Sequence, residues 1–229
     1  MSAIASNLQA VRQRIETAAA SSGRDPAGIR LLAVSKTWPA ECLLEAIAAG
    51  QTVFGENYVQ EAVEKIAALR PARLEWHFIG PLQSNKTRLV AENFDWVHTI
   101  DRLKIAERLA AQRPSALPEL QVCVQVNISG EASKHGCTPA ETADLCRQLA
   151  RLPGLKLRGL MAIPAASDNI TEQRRQCARL HGLFERLRAD GLPVDTLSMG
   201  MSHDLEAAIA EGATLVRIGT AIFGERNAT

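Results

Sequence analysis

Two cationic side chains stand at positions in this sequence where their chemistry matters. Lys36 closes the apolar segment LLAVSK, and Arg217 lies inside the apolar segment TLVRIG. An amine held at the end of a strand and partly removed from water can attack a carbonyl carbon and form an imine, although a lysine there can also simply extend into solvent. A guanidinium among apolar residues must be paired, either by a structural carboxylate such as Glu56 or by a ligand.

Two turns that contain glycine follow the last two apolar segments. They are SMGMS (198–202) and RIGTAIFG (217–224), and each joins a predicted strand to a predicted helix. Backbone N–H groups at Gly200 and Gly219 could therefore bind an anion. The alternative is that Ser202 is only a helix N-cap and that both glycines only make turns.

The surrounding pattern predicts the elements that position these residues. An opening amphipathic helix is indicated by Ile4, Leu8, Val11 and Ile15, which recur at helical spacing. Short apolar segments then alternate with helical patterns, as parallel strands with helical crossovers require. The predicted strands are IRLLAV (29–34), TVFG (52–55), LEWHFIG (74–80), DWVHTI (95–100), LQVCVQVNI (120–128), LKLRGLMAI (155–163), VDTLSMG (194–200) and TLVRIG (214–219). About eight strand–helix units predict a single (β/α)8 TIM barrel over residues 1–229 with an extra N-terminal helix, in preference to an open doubly wound sheet.

A closed barrel would bring the cationic residues and the glycine turns together. Its first and last strands are neighbours, so Lys36 would lie near Arg217 and near the loops after the seventh and eighth strands. Those two loops are the usual phosphate site of this fold. An imine-forming lysine, a phosphate site and a cationic donor together predict a site for pyridoxal 5′-phosphate.

Composition and charge exclude several classes of protein. Hydrophobic residues make up 46% and charged residues 22% of the 229 residues, which is ordinary globular usage and excludes disordered and collagen-like chains. Lysine and arginine total 26 against 25 acidic residues, and aromatic residues make up only 4%. Nucleic-acid binding normally uses a positive field or an aromatic stacking surface. We therefore expect no nucleic-acid partner.

Cysteine usage and apolar segment lengths predict the compartment. The five cysteines contain no C-x-x-C pair, so we expect reduced thiols and no metal site. Charged residues interrupt every apolar segment before it reaches the length of a transmembrane helix. The N-terminus lacks the order of a signal peptide. We therefore expect a cytoplasmic protein with no membrane partner.

Six segments of the sequence closely resemble the pyridoxal phosphate homeostasis protein family. They are LLAVSKT (31–37), FGENYVQE (54–61), WHFIGPLQSNK (76–86), RGLMAI (158–163), LSMGMSHD (197–204) and VRIGTAIFG (216–224). They occur in order over nearly the whole chain, and as a set they are highly specific. The resemblance implies a barrel like the N-terminal domain of alanine racemase, pyridoxal phosphate bound as an imine, and a role in intracellular vitamin B6 homeostasis. Apoenzymes that depend on this cofactor are the implied candidate partners.

The resemblance also implies roles for individual residues. Lys36 would form the imine, Asn57 would lie beside the cofactor ring, and Arg217 would face the pyridine nitrogen. The sequence departs from the family pattern at Trp38, where many relatives have a second lysine, and at His203, where relatives often have aspartate. The residues that would hold the phosphate are Ser198, Gly200, Ser202, Gly219 and Thr220.

Two catalytic hypotheses compete with a binding protein. A racemase that uses the same cofactor needs a base on each face of the substrate; Lys36 supplies one, and the only tyrosine in the sequence is Tyr58. An arginine facing the pyridine nitrogen would also weaken the ring as an electron sink. We therefore favour a monomeric binding protein without strong turnover and assign no catalytic residue. The third hypothesis is an aldolase that uses Lys36 on a sugar phosphate without a cofactor.

Three further polar residues have two interpretations each. His77 either contacts the ligand or a loop, or is a core histidine with satisfied hydrogen bonds. Tyr58 is more often a packing residue of the first helical turn than a ligand contact. Lys134, in a loop with Gly130 and Gly136, either transfers the cofactor or is simply solvated, and we favour solvation.

Overall fold

The strands of this protein close into one barrel. The computed structural model describes residues 2–131 and 133–225. Within them, eight parallel strands follow one another around the barrel in chain order, and Ala33 of the first pairs with Ile218 of the last. The predicted (β/α)8 barrel is therefore confirmed. The strands are β1 (Arg30–Val34), β2 (Val53–Glu56), β3 (Glu75–Phe78), β4 (Trp96–Ile100), β5 (Leu120–Gln125), β6 (Leu155–Met161), β7 (Thr196–Ser198) and β8 (Leu215–Ile218).

One helix precedes the barrel, and others alternate with its strands. The predicted N-terminal helix is confirmed as α1, which buries Ile4, Leu8, Val11 and Ile15. It packs against the helices that flank β1 and against those that flank β8, so it covers the seam where the barrel closes. The α-helices of the described residues are α1 (Ala3–Ser21), α2 (Ala40–Ala48), α3 (Val59–Ala68), α4 (Thr87–Asn93), α5 (Leu103–Gln112), α6 (Thr142–Leu149), α7 (Ile170–Ala189), α8 (Leu205–Ala210) and α9 (Thr220–Phe223).

Several predicted elements are shorter in the structure. β5 ends at Gln125 rather than at residue 128, and β7 comprises only Thr196–Ser198. A capping box forms between Thr138 and Glu141, because each backbone N–H donates to the other side chain. Nevertheless α6 begins only at Thr142. β5 is shortened at its carboxyl end and β7 at both ends, and the residues lost at the carboxyl ends enter the loops of the barrel rim.

The apolar core surrounds a barrel interior that is partly polar. One continuous cluster joins strands and helices, with Leu8, Leu43 and Phe54 fully buried. Trp96, Cys123 and Met161 form a second, small cluster. Burying each large apolar side chain contributes about 1.5–3 kcal/mol. The barrel is therefore a packed scaffold that can hold a few polar residues in fixed positions.

The carboxyl ends of all the strands lie at one rim of the barrel, as parallel topology requires. Lys36 lies two residues beyond β1, and Asn57 directly follows β2. Gly200 lies two residues beyond β7, and Gly219 directly follows β8. No helix of residues 2–131 and 133–225 combines the length and the apolar character needed to cross a bilayer.

Candidate functional site

Lys36 sits on the rim in a turn that α3 stabilises. Its side chain is half-buried, and the next residue, Thr37, has a φ of 68°. This left-handed conformation is uncommon for a residue other than glycine and persists where the surroundings fix it. The Thr37 N–H donates to Glu61 Oε1 at 2.6 Å. A carboxylate on α3 therefore fixes the backbone that follows Lys36.

A buried ion cluster lies behind this turn; we call it the clamp, and it comprises Ser35, Glu56, Glu61 and Lys65. The Lys65 ammonium donates to Ser35 O at 2.8 Å, to Glu56 Oε1 at 2.7 Å and to Glu61 Oε1. The Ser35 hydroxyl donates to the same Glu56 oxygen at 2.7 Å. Burial raises the pKa of Glu56, and Lys65 opposes that rise. The clamp therefore holds the peptide groups on both sides of Lys36.

Arg217 is a cation buried in the interior of the barrel. Its side chain is 4% exposed and donates from Nη1 to Ser198 Oγ at 2.8 Å and from Nη2 to Ala162 O at 2.9 Å. No carboxylate of the described residues lies within ion-pair distance of it. Glu56, the structural partner considered from the sequence, is bound to Lys65 instead. Burial lowers the pKa of Arg217 to about 10. A guanidinium has five N–H donors, so several remain to meet a ligand.

The two glycine turns meet at the same sector of the rim. The backbone N–H of Arg217 donates to the backbone carbonyl of Gly200 at 2.9 Å. This hydrogen bond joins the end of β8 to the turn after β7. The backbone N–H groups of Gly200, Ser202, Gly219 and Thr220 have no hydrogen-bond acceptor within residues 2–131 and 133–225. Unpaired amides that converge on one place form an anion-binding concavity. Gly200, Ser202, Gly219 and Thr220, four of the five residues expected to hold a phosphate, therefore lie in two turns that are joined at the rim.

Gly200 is required where it stands. Its φ is +96°, and a Cβ there would lie 2.7 Å from the Cβ of Ala208. The helices that follow the two turns are short, six residues for α8 and four for α9. A macrodipole sums over aligned peptide units, so helices of this length contribute little. An anion bound in these turns would therefore depend on individual backbone amides rather than on helix dipoles.

Asn57 presents a buried acceptor that nothing in the described chain satisfies. Its Oδ1 is buried without a hydrogen-bond partner, and buried polar atoms are normally paired. Asn57 also lines a cavity of about 280 Å³ at the barrel mouth, together with Thr99, Gln125 and Lys134. Lys134 forms an ion pair with Glu131 at 3.0 Å. An unsatisfied oxygen beside a cavity fits a ligand that supplies a donor.

Two buried histidines lie beneath the site, and one of them, His98, contacts Ser198. His98 Nδ1 lies 2.9 Å from Ser198 Oγ, and His98 Nε2 lies 2.8 Å from His77 Nδ1. His77 Nε2 contacts Glu75 Oε1. Both histidines have no exposed surface, which favours the core interpretation of His77. Ser198, expected among the phosphate contacts, directs its hydroxyl to His98 and Arg217.

Sequence reasoning did not single out His98, Glu75 or Lys65. One signal was present, because His98 interrupts the apolar segment DWVHTI much as Arg217 interrupts TLVRIG. Pairing between His98 and Ser198, 100 positions apart, follows only from barrel closure. Lys65 lies on an amphipathic helix, where a lysine ordinarily faces solvent.

The residues that depart from the family pattern lie at the edge of the site. Trp38 stacks on Phe223 of α9 with ring centroids 5.9 Å apart, so it packs the loop after β1 against the last helix. His203 is exposed, and its carbonyl accepts from Gln173. Tyr58 is 53% exposed at the N-cap of α3, so the interpretation of Tyr58 as a packing residue is wrong.

Comparison with known proteins relates the chain to one family over almost its full length. The family model described as alanine racemase, N-terminal domain, matches residues 2–227. A protein of Pseudomonas aeruginosa named pyridoxal phosphate homeostasis protein is 59% identical over 227 residues, which cover 99% of this chain and 97% of that protein.

Solved structures give the same relationship. PipY of Synechococcus elongatus, solved with PLP bound, is 38% identical and aligns with a TM-score of 0.83 over 96% of this chain and 100% of that chain. An alanine racemase of Clostridium difficile 630 aligns with a TM-score of 0.71 at 18% identity, over 97% of this chain and 58% of that chain. The second likeness shows the barrel fold alone.

Proposed function

Because this chain belongs to the pyridoxal phosphate homeostasis protein family, within the alanine racemase N-terminal domain family, we propose that it binds pyridoxal 5′-phosphate as an imine on Lys36 and serves the homeostasis of that cofactor. The observation that carries the proposal is the buried Arg217 guanidinium, which is hydrogen-bonded only to a hydroxyl and a carbonyl. A buried cation without a carboxylate is costly. An anionic ligand with ring and phosphate acceptors offsets that cost.

Each residue of the rim has a part in holding the ligand. Lys36 would hold the cofactor through its side-chain amine, and the cofactor would supply the aldehyde for that imine link, with loss of water. The amides of Gly200, Ser202, Gly219 and Thr220 donate to the phosphate, and Arg217 donates to the pyridine nitrogen. Asn57, through its unpartnered Oδ1, accepts a hydrogen bond from a donor on the ring of the cofactor. Ser198 acts through the guanidinium that donates to its hydroxyl.

The arrangement favours storage and delivery of the cofactor over racemisation. Racemisation needs a second base opposite Lys36, and the only tyrosine of the sequence, Tyr58, is 53% exposed. A guanidinium at the pyridine nitrogen keeps that nitrogen unprotonated, which weakens the ring as an electron sink. The proposed partners are apoenzymes that receive the cofactor. The proposed setting is the cytoplasm, with the barrel acting as a monomer because one chain carries every proposed contact.

Reductive trapping tests the proposal. Purified protein is incubated with pyridoxal phosphate, its visible absorbance is recorded, and borohydride then fixes the imine for peptide mapping. We expect the adduct on Lys36 alone. Lys36→Ala should lose the visible band and remain folded, since a half-buried lysine contributes little packing, and Lys134→Ala is the matched control that keeps the band. An adduct on Lys65, Lys86 or Lys134 in the unmodified protein would contradict the assignment.

A further inference from the structure

A line of hydrogen bonds crosses the interior of the barrel and ends at Arg217; we call it the relay, and it comprises Glu75, His77, His98, Ser198 and Arg217. Its members belong to β3, β4, β7 and β8. Around the barrel, two strands separate β4 from β7 on one side and four on the other. Their side chains can therefore meet only inside the barrel. The contacts run from Arg217 Nη1 to Ser198 Oγ (2.8 Å), to His98 Nδ1 (2.9 Å), and from His98 Nε2 to His77 Nδ1 (2.8 Å).

The direction of every hydrogen bond in the relay follows from its two ends. Glu75 is a carboxylate and can only accept, so His77 Nε2 carries a proton. A neutral imidazole has one N–H, so His77 Nδ1 accepts from His98 Nε2. His98 Nδ1 is then also an acceptor and receives the Ser198 hydroxyl proton. The Ser198 oxygen is left to accept from Arg217, which can only donate.

Charge at the amino-terminal end of the barrel fixes this direction. Arg30 donates to the same Glu75 oxygen at 2.7 Å. The hydrogen bonds from His77 and Arg30 outweigh the effect of burial and lower the pKa of Glu75 to about 2. Burial lowers the pKa of His77 to about 4 and that of His98 well below its usual value. Both histidines are therefore neutral near pH 7, as the derived direction requires.

We propose that His98 and His77 are positioning residues, which hold the Ser198 oxygen toward Arg217 and so fix the guanidinium in the orientation that faces the bound ring. The identity of the bound ring rests on the proposed function, whereas the relay consists of contacts within the protein alone. It reaches from the partly exposed Glu75 to Arg217 at the rim.

Histidine tautomers test the relay without any cofactor. Long-range proton–nitrogen NMR of the ¹⁵N-labelled protein at pH 7 should show His77 and His98 as neutral imidazoles with the proton on Nε2. A proton on Nδ1 of either ring, or a charged ring, would overturn the assigned direction. This measurement needs no substitution, so it decides the point even if variants fold poorly.

Two substitutions of His98 test the consequence for the ligand. His98→Asn keeps an acceptor, Oδ1, where Nδ1 stood, and His98→Leu removes it. A net hydrogen bond changes an equilibrium by about fivefold, so His98→Leu should bind pyridoxal phosphate at least about fivefold more weakly and shift the visible band. His98→Asn should retain both properties. Inorganic phosphate, which contacts only the glycine turns, should bind all three proteins alike.

The controls separate the possible failures. Equal weakening of pyridoxal phosphate and inorganic phosphate in His98→Leu would mean general loosening and would overturn the positioning role. Unchanged binding in His98→Leu, or the same loss in His98→Asn, would overturn it as well. Absence of a reduced adduct on Lys36 in the unmodified protein would instead contradict the proposed function, while the tautomer result would stand.

Discussion

Two buried cations of this protein have opposite surroundings, and the contrast separates structure from function. Lys65 is 6% exposed and contacts the carboxylates of Glu56 and Glu61. Arg217 is 4% exposed and contacts no carboxylate of the described residues. A fully paired buried cation is a structural element, whereas an unpaired one points to a ligand. Burial alone would not have distinguished them.

Arg217→Glu tests the role of the guanidinium at the ring. A carboxylate favours a protonated pyridine nitrogen, as acidic partners do in enzymes that draw electrons into this ring. We expect the loaded variant to exchange the α-proton of alanine for deuterium about tenfold faster or more, which corresponds to ~1.4 kcal/mol of barrier. Proton NMR in heavy water measures the exchange.

The variant must first be shown to fold and to carry the cofactor, because an unpaired carboxylate is costly to bury. Arg217→Gln is the control that removes the cation without adding an acid. If a folded and loaded Arg217→Glu protein exchanges no faster than the parent, Arg217 does not face the pyridine nitrogen. An ion pair with Glu56 would not explain Arg217 in that case, because Glu56 already pairs with Lys65.

At the scale of elements, the turns after β7 and β8 should contribute more to ligand retention than the contacts to the ring. Charge-assisted hydrogen bonds contribute roughly 1.5–3 kcal/mol each, and several amides converge there. Pyridoxal, which lacks the phosphate, should therefore bind at least about a hundredfold more weakly, a loss of about 3 kcal/mol. Equilibrium dialysis of both compounds measures the difference. Equal retention of the two compounds would contradict an anion site in these turns.

The clamp joins β1 and β2 to α3, and Lys65→Met tests what it contributes. Breaking a buried pair leaves Glu56 without compensation and costs about 3–5 kcal/mol of unfolding free energy. Urea unfolding measures this loss, and adding Glu56→Gln to the same chain should recover much of it. The matched control is Arg88→Met, because Arg88 is an exposed partner of Glu92 at 3.6 Å and should change stability by less than about 1 kcal/mol. A loss no larger than that control would show that the clamp is not a stabilising unit.

The sequence predicted elements well and their polar interior poorly, for a physical reason. Apolar periodicity and strand count follow from local spacing, so the barrel, α1 and the rim positions of Lys36 and Gly200 could be derived. Partners such as His98 and Ser198 are distant in the chain and meet only because the barrel closes. Strand ends were overextended at β5 and β7, since the apolar pattern continues into loops that cover the rim.

At the scale of the whole molecule, the relay ties the amino-terminal end of the barrel to the cofactor rim. Trp96 stacks on His77 with ring centroids 5.1 Å apart and planes 6° from parallel, and it shields the histidine from solvent. Glu75, Asp95 and Trp96 line a cavity of about 280 Å³ at that end. The barrel therefore keeps water away from two neutral histidines while leaving their anchoring carboxylate partly exposed.

Neutral buried histidines make the stability of the fold depend on pH. An unfolded histidine binds a proton below about pH 6.5, whereas burial lowers the pKa of folded His77 to about 4 and shifts His98 in the same direction. Between those values the unfolded chain binds more protons, so the unfolding free energy falls as pH falls. A shift of this size at His77 should remove about 2 kcal/mol of unfolding free energy between pH 7 and pH 5, and the shift at His98 acts in the same direction.

Urea unfolding of the parent and of His98→Asn at pH 7 and pH 5 isolates this contribution. Glu56, whose pKa burial raises, acts in the opposite direction, but it is present in both proteins and cancels in the comparison. The parent should lose more unfolding free energy than His98→Asn over this interval, because the variant has one neutral histidine fewer to protonate on unfolding. An identical loss in the two proteins would mean that His98 takes up its proton at the same pH in the folded and the unfolded chain, which contradicts a His98 kept neutral by burial.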